Sequence, residues 1–142
     1  MPKFPVIVMV SGHFDPLHDG HLSYLKQAIA HGDAILCVVS SDAQLMMKKG
    51  NVNIPQRGRS NIVRLILEGM RVLNVVVVNQ WDKETTLVAE ALRVLKPAVF
   101  FRGGDKTIED MPPEERQVCD ELGIEIRHAV LEHDRHGARM VV

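Results

Sequence analysis

Two kinds of hydrophobic pattern alternate along this chain of 142 residues, and the alternation sets its class. Val6-Ile7-Val8-Met9-Val10 is a continuous, mostly β-branched run, as in a strand buried on both faces. Over residues 19–31, Leu22, Leu25, Ala28 and Ile29 recur at helical spacing, and Gly32 supplies the stop. Residues 34–39 form a second apolar run, followed by a polar stretch over 40–60 that reads mostly as loop. Ile62, Leu65, Ile66, Met70 and Leu73 predict a helix, and Val75-Val76-Val77-Val78 a third strand. Leu87, Ala91, Val94 and Leu95 stripe a helix that ends before Pro97. Residues 98–101 make a fourth strand, stopped by Gly103-Gly104. Pro112-Pro113-Glu114-Glu115 opens a further helix, with proline in the first turn and acids at the positive dipole end. That helix closes at Gly123, and residues 124–130 form the last strand.

Strand and helix in strict alternation predict an α/β fold: a Rossmann-like, doubly wound, five-stranded parallel sheet with helices on both faces. No linker, repeat or low-complexity tract interrupts the pattern, so residues 1–142 read as one domain. Ligands of such sheets bind outside the carboxyl ends of the strands, where the strand order reverses, and the first strand usually flanks that point.

Composition narrows the function classes. The chain is 46% hydrophobic and 25% charged, the mix of a soluble globular protein, with 17 basic residues against 18 acidic ones. A net charge of −1 supplies no broad cationic field, so neither a nucleic acid nor a membrane is expected as partner, and any anion must be held locally. Cys37 and Cys119 are far apart and form neither a disulfide framework nor a zinc motif. The apolar run near the start is too short for a signal peptide, so a cytoplasmic location is expected.

The end of the first strand carries Ser11-Gly12-His13-Phe14-Asp15-Pro16-Leu17-His18-Asp19-Gly20-His21. His18 and His21, three apart at a helix start, face one side together with unpaired backbone N–H groups and the positive dipole end. Gly20 lets a bulky group approach the backbone. Imidazoles that donate hydrogen bonds and titrate near neutrality suit a polyphosphate on which charge builds. The other readings of the pair are two metal ligands, for which no third ligand stands nearby, and two incidental surface residues.

Gly12-x-Phe14-Asp15-x-x-His18-x-Gly20-His21 resembles the G-x-F-D-x-x-H-x-G-H motif of the cytidylyltransferase-like nucleotidyltransferase superfamily, whose fold is the one expected above. Lys96-Pro97-Ala98 through Phe101-Arg102-Gly103-Gly104-Asp105 is similar to a segment of the adenylyltransferase domain of ADP-heptose synthases, and glycerol-3-phosphate cytidylyltransferases carry a variant of it. The likeness runs over residues 5–131. These families usually end with a Ser/Thr phosphate motif opening a last helix; here residues 132–142 carry Arg135 and Arg139 but no such pair.

The resemblance implies transfer of a nucleoside monophosphate from a nucleoside triphosphate, ATP before CTP, to a phosphorylated small molecule such as a sugar phosphate, with release of pyrophosphate. The alternatives are a CTP-dependent enzyme of the glycerol-3-phosphate type and a nucleotide-binding module without turnover. It makes His18 and His21 the catalytic pair, with Gly12, His13, Phe14, Gly20, Lys49, Arg102, Gly103, Gly104 and Asp105 around the nucleotide and its phosphates. Arg135 and Arg139 stand in for the missing hydroxyls. Mg²⁺ is the expected companion, held largely by phosphate oxygens rather than by protein ligands. A homo-oligomer, dimer or larger, is expected by analogy with relatives.

Several neighbours have two readings. Asp15 either orders its turn through backbone hydrogen bonds or acts as a base, and Lys48, Arg57 and Arg59 either reach phosphate or do not. Trp81 either packs or stacks on a base. A metal site built from His128, His133 and His136 is a third functional class.

Overall fold

A computed structural model describes residues 4–104, 106–133 and 139–140, with residues 132, 133, 139 and 140 as backbone. Five parallel strands form the central sheet: β1 (Ile7–Gly12), β2 (Ala34–Val39), β3 (Leu73–Val78), β4 (Val99–Arg102) and β5 (Glu125–His128). Their order is β3-β2-β1-β4-β5. The chain winds outward from β1 to β3, then returns to β1's other side with β4, so the reversal falls between β1 and β4.

Alternation along the strands feeds two cores. Val8 and Val10 of β1, Ile35 and Cys37 of β2 and Phe101 of β4 point to one face. There they meet Leu25 and Ala28 of α1 (Asp19–Ile29) and Val63 and Leu67 of α3 (Gln56–Gly69). Met9, Val38 and Phe100 point to the other face, against Ala91 and Leu92 of α4 (Ala89–Leu95) and Val118 and Cys119 of α5 (Pro113–Leu122). Each face is thus covered by two helices, as the doubly wound pattern requires. Among the described residues no helix is long and apolar enough to cross a membrane.

The polar stretch expected to be loop is instead partly helical. It holds α2 (Asp42–Lys49) and the start of α3. Ser41 and Gln44 form a reciprocal capping box at the start of α2, and Gly50 ends it at φ 78°, a left-handed conformation that glycine adopts without strain. The helix leaves little apolar trace because Leu45 is its one fully buried hydrophobic residue, while Met46 and Met47 are exposed. Gln44, also buried, donates its side-chain N–H groups to the carbonyls of Asp82, Thr85 and Leu87 and so shapes the segment before α4.

Helix α3 also faces differently from the expected stripe. It buries Arg59, Val63 and Leu67, spaced four apart, and leaves Ile62 and Leu65 exposed. Leu73 belongs to β3, an edge strand that also exposes Val75. A 3₁₀ turn (Ile108–Asp110) and a two-stranded antiparallel ribbon, β6 (Glu132–His133) with β7 (Arg139–Met140), were not foreshadowed by the hydrophobic pattern.

Candidate active site

At the carboxyl end of β1 the chain turns through Phe14, whose φ of 52° is uncommon for a bulky residue and marks a constrained turn. Phe14, expected among the nucleotide contacts, is fully buried and forms part of the wall of the cavity that opens against the histidine pair. Its ring lies beneath Gly12, where an added Cβ would stand 3.1 Å from it, and 5.0 Å from the ring of His21. Phe14 therefore supports the histidine from the core side.

Asp15 settles into an ordering role, but for a distant segment. Its two carboxylate oxygens accept from Asn53 N–H at 2.8 Å and Ile54 N–H at 2.7 Å. Arg59, fully buried, donates to the carbonyls of Ile54, His13 and Ser40 and to Asp42 Oδ1. With every arm of its guanidinium engaged, it holds the ends of β1 and β2 together and is not free to bind phosphate.

His18 and His21 sit at the first turn of α1 with their rings stacked, centroids 3.9 Å apart. His18 Nδ1 accepts from Gly20 N–H at 3.1 Å, and His21 Nδ1 accepts from His18 N–H at 3.2 Å. Both Nδ1 atoms are acceptors, so the neutral rings carry their protons on Nε2. Two neighbouring Nε2–H donors result, at the positive end of the helix dipole, where the Gly20 and His21 N–H groups are already bonded within the cap.

A cavity of about 650 Å³ opens against this pair, and it brings together Gly12, His13, His18, Gly20, His21, Lys49 and Gly103. Lys106, Ser11 and Tyr24 join them. Asp15 is the sole carboxylate lining this cavity among the described residues, and it is already spent on backbone N–H groups. Donors and cations thus outnumber available acceptors, which suits an anion. Tyr24 Oη donates to Phe101 C=O at 2.5 Å and lies 3.3 Å from Ser11 N–H, tying α1 to β1 and β4.

A second cavity, of about 360 Å³, adjoins the first across the switch point and shares His13, Gly12 and Gly103 with it. Arg102 lines this second cavity together with Lys48 and Glu115, rather than the cavity of the histidine pair. Gly104 lines neither, and Asp105, Arg135 and the side chain of Arg139 lie outside the described residues. His13 Nδ1 is 2.7 Å from Ser40 Oγ, so its ring is held between the two cavities. Trp81 packs against the α4–α5 core.

Among the described residues, no three His, Cys, Asp or Glu side chains converge as metal ligands. His128 faces Arg102, whose Nη1 lies 3.0 Å from its Nε2. The side chain of His133 and all of His136 lie outside the described residues. Lys106, Ser11 and Ser40 were missed by the sequence reading; the lysine follows the Gly-Gly-Asp segment by one residue, which is the signal that marked it.

Burial lowers the pKa of His21 from 6.5 to about 4, helped by the charges of His18, Lys49 and His13. His13 is lowered in the same way, by burial first and then by Lys49, Lys48 and Arg59. The unfolded chain takes up the His21 proton near pH 6.5 and the folded chain only near 4, so within that window the unfolded state binds more protons. Stability is therefore expected to fall as pH drops from about 6.5 to about 4 and to level off below. Proton NMR of the imidazoles checks this: the His21 resonance should titrate near 4, and a midpoint near 6.5 would contradict the buried placement.

The fold, the switch-point cavity and the histidine pair together define a class, and the chain belongs to the cytidylyltransferase-like family, which it matches over residues 9–135. Among its relatives is the bifunctional protein HldE of Marinomonas sp. (strain MWYL1), 38% identical over 105 residues, 72% of this chain and 20% of the relative. The HldE of Wolinella succinogenes is 37% identical over 99 residues, 70% of this chain and 20% of the relative. The chain thus spans about one fifth of the length of these relatives. In architecture it is similar to a lipopolysaccharide core biosynthesis protein from Thermoplasma volcanium, with a TM-score of 0.65 and 22% identity, covering 88% of this chain and 94% of that one. A pantoate-beta-alanine ligase from Francisella tularensis shares the fold at a TM-score of 0.63 and 16% identity, covering 98% of this chain and 64% of that one.

Proposed function

We propose that the protein transfers a nucleoside monophosphate from a nucleoside triphosphate, ATP before CTP, to a phosphorylated small molecule, releasing pyrophosphate. The observation that carries this reading is the pair of Nε2–H donors, set by the reciprocal cap of His18 and His21 and facing a cavity with no uncommitted carboxylate among its described lining residues. An oxygen of the acceptor phosphate attacks the α-phosphorus, the bond from that phosphorus to the bridging oxygen breaks, and pyrophosphate leaves. Such a reaction asks for positioning and charge stabilisation rather than covalent catalysis.

His21, neutral above about pH 4, donates to the oxygen on which charge accumulates. His18 and Lys49 hold the rest of the phosphate chain, and His13, between the two cavities, lies where donor and acceptor meet. Arg102 offers the second cavity a cation for the acceptor's own phosphate. The resemblance of the Arg102-Gly103-Gly104-Asp105 segment to the heptose enzymes, and the identity to HldE, support ATP and a sugar phosphate. The cavity's donor set does not make a protein-held magnesium site, so a Mg²⁺ ion would rely on oxygens of the triphosphate, and no step is assigned to it.

Pyrophosphate release, measured with each of four nucleoside triphosphates against sugar and polyol phosphates, tests the reading. Release is expected with ATP and a sugar phosphate. Release with CTP and glycerol phosphate alone would move the assignment to the cytidylyl alternative. Tight nucleotide binding with no release from any pairing would leave a binding module and overturn the transferase.

A further inference from the structure

Glu115 is an acid in an unexpected place. It stands in the first turn of α5, where a carboxylate is ordinarily solvent-facing, yet it is only 6% exposed. One oxygen, Oε2, accepts from Val88 N–H at 3.0 Å, just ahead of α4. The other oxygen makes no hydrogen bond to a described residue. Since no fully buried side-chain polar atom lacks a partner among the described residues, it keeps some accessible surface, and the side chain lines the second cavity. Arg102, 8% exposed, lines the same cavity and spends Nη1 on Thr107 C=O and His128, which leaves its other N–H groups uncommitted among the described residues. Burial raises the Glu115 carboxyl above its ordinary range, against the opposing pull of the Val88 N–H and the Arg102 guanidinium.

A largely buried cation and a largely buried carboxylate, each with polar atoms still accessible, therefore share one small cavity. Its wall also carries Lys48, Lys106 and Asp110; Asp110 Oδ2 is already bonded to Thr107. Phe100, Leu87 and Val88 supply its apolar wall, which strengthens any hydrogen bond formed there. A cation alone would suit any phosphate. A carboxylate oxygen beside it would repel a bare phosphate and reward a ligand that carries a hydrogen-bond donor as well.

We infer that Glu115 is a specificity-determining residue for the acceptor, its free oxygen accepting a hydrogen bond from a hydroxyl of the acceptor whose phosphate is held by Arg102. The inference rests on the transferase reading for the meaning of the cavity, but its test does not depend on turnover.

Calorimetry of the whole chain with glycerol 3-phosphate, a hexose 1-phosphate and hydroxyl-free propyl phosphate measures the preference directly. The unmodified protein should bind the hydroxyl-bearing phosphates about tenfold or more tightly than propyl phosphate, as a hydrogen bond to a charged group implies. In Glu115→Gln an amide oxygen still takes the Val88 N–H, while the group facing the cavity becomes a donor. That variant should lose most of the preference and bind propyl phosphate more tightly than the unmodified protein does, because the repelling charge is gone. Damage to the fold would weaken all three ligands alike. Equal affinities in the unmodified protein, no binding of any of the phosphates, or a preference retained in Glu115→Gln would overturn the assignment. ATP and CTP titrated in the same way keep the two readings apart: a protein that binds neither nucleotide loses the transferase reading, whatever Glu115 does.

Discussion

His21→Ala is expected to slow pyrophosphate release by about 10²–10³-fold, the usual cost of removing one donor aimed at developing charge. The alanine variant is also expected to lose stability, because the His21 ring accepts the N–H of His18 and closes the cap of α1. The two effects can be separated. In His21→Gln the side chain is the usual partner in a capping box, so the helix start should be restored. Once the glutamine oxygen takes the His18 N–H, its amide is held close to the backbone and does not reproduce the imidazole Nε2–H. Stability should therefore recover while turnover stays low, with nucleotide affinity reduced far less than the rate. A glutamine variant with full turnover would show that the histidine pair only caps a helix.

Arg59→Met should be the most damaging single change to the fold. The guanidinium is fully buried and satisfies three carbonyls, at 2.7 Å to Ile54, 2.8 Å to His13 and 2.7 Å to Ser40, along with Asp42 at 2.8 Å. Methionine fills part of the volume but donates nothing, so these acceptors lose their partner away from water. The expected loss is about 3–5 kcal/mol, as for breaking a buried polar network from one side. Asp42 contributes least of this, since its side chain is 41% exposed. Urea unfolding followed by Trp81 fluorescence measures it, and Arg59→Lys, which can restore only part of the set, should fall between. A loss below about 1 kcal/mol would mean the network relaxes onto water.

The contrast between these two residues explains what could be read from the sequence. Strands β1 and β2 announce themselves because burial on both faces demands unbroken apolar runs, and β3 shows as a valine run, a strand-favouring sequence, although it lies at the sheet edge. The histidine pair is legible because its chemistry is local: ring, cap and helix dipole all lie within the 11 residues of α1 and the residue before it. Arg59 is not, since an arginine at helical spacing with Val63 and Leu67 reads as polar until its distant partners are known. Asp15 gave the right kind of role, ordering backbone, but its partners lie 38 and 39 positions away. Helix α2 is held by caps and one buried amide rather than by an apolar stripe, so hydrophobic periodicity passes over it. Glu115 reads as a favourable first-turn acid, and only the packing of α5 beside α4 reveals that it looks inward.

The reciprocal cap has a consequence for how this protein can change. On the proposed reading, the imidazoles that meet the phosphate chain are the same rings that begin the helix, Nδ1 serving the fold and Nε2 the turnover. A chain in which separate residues did these jobs could shed its chemistry and keep its shape by one substitution to any small side chain. Here the cheapest route to an inert yet intact descendant is narrow, and runs through replacements that still close the first turn.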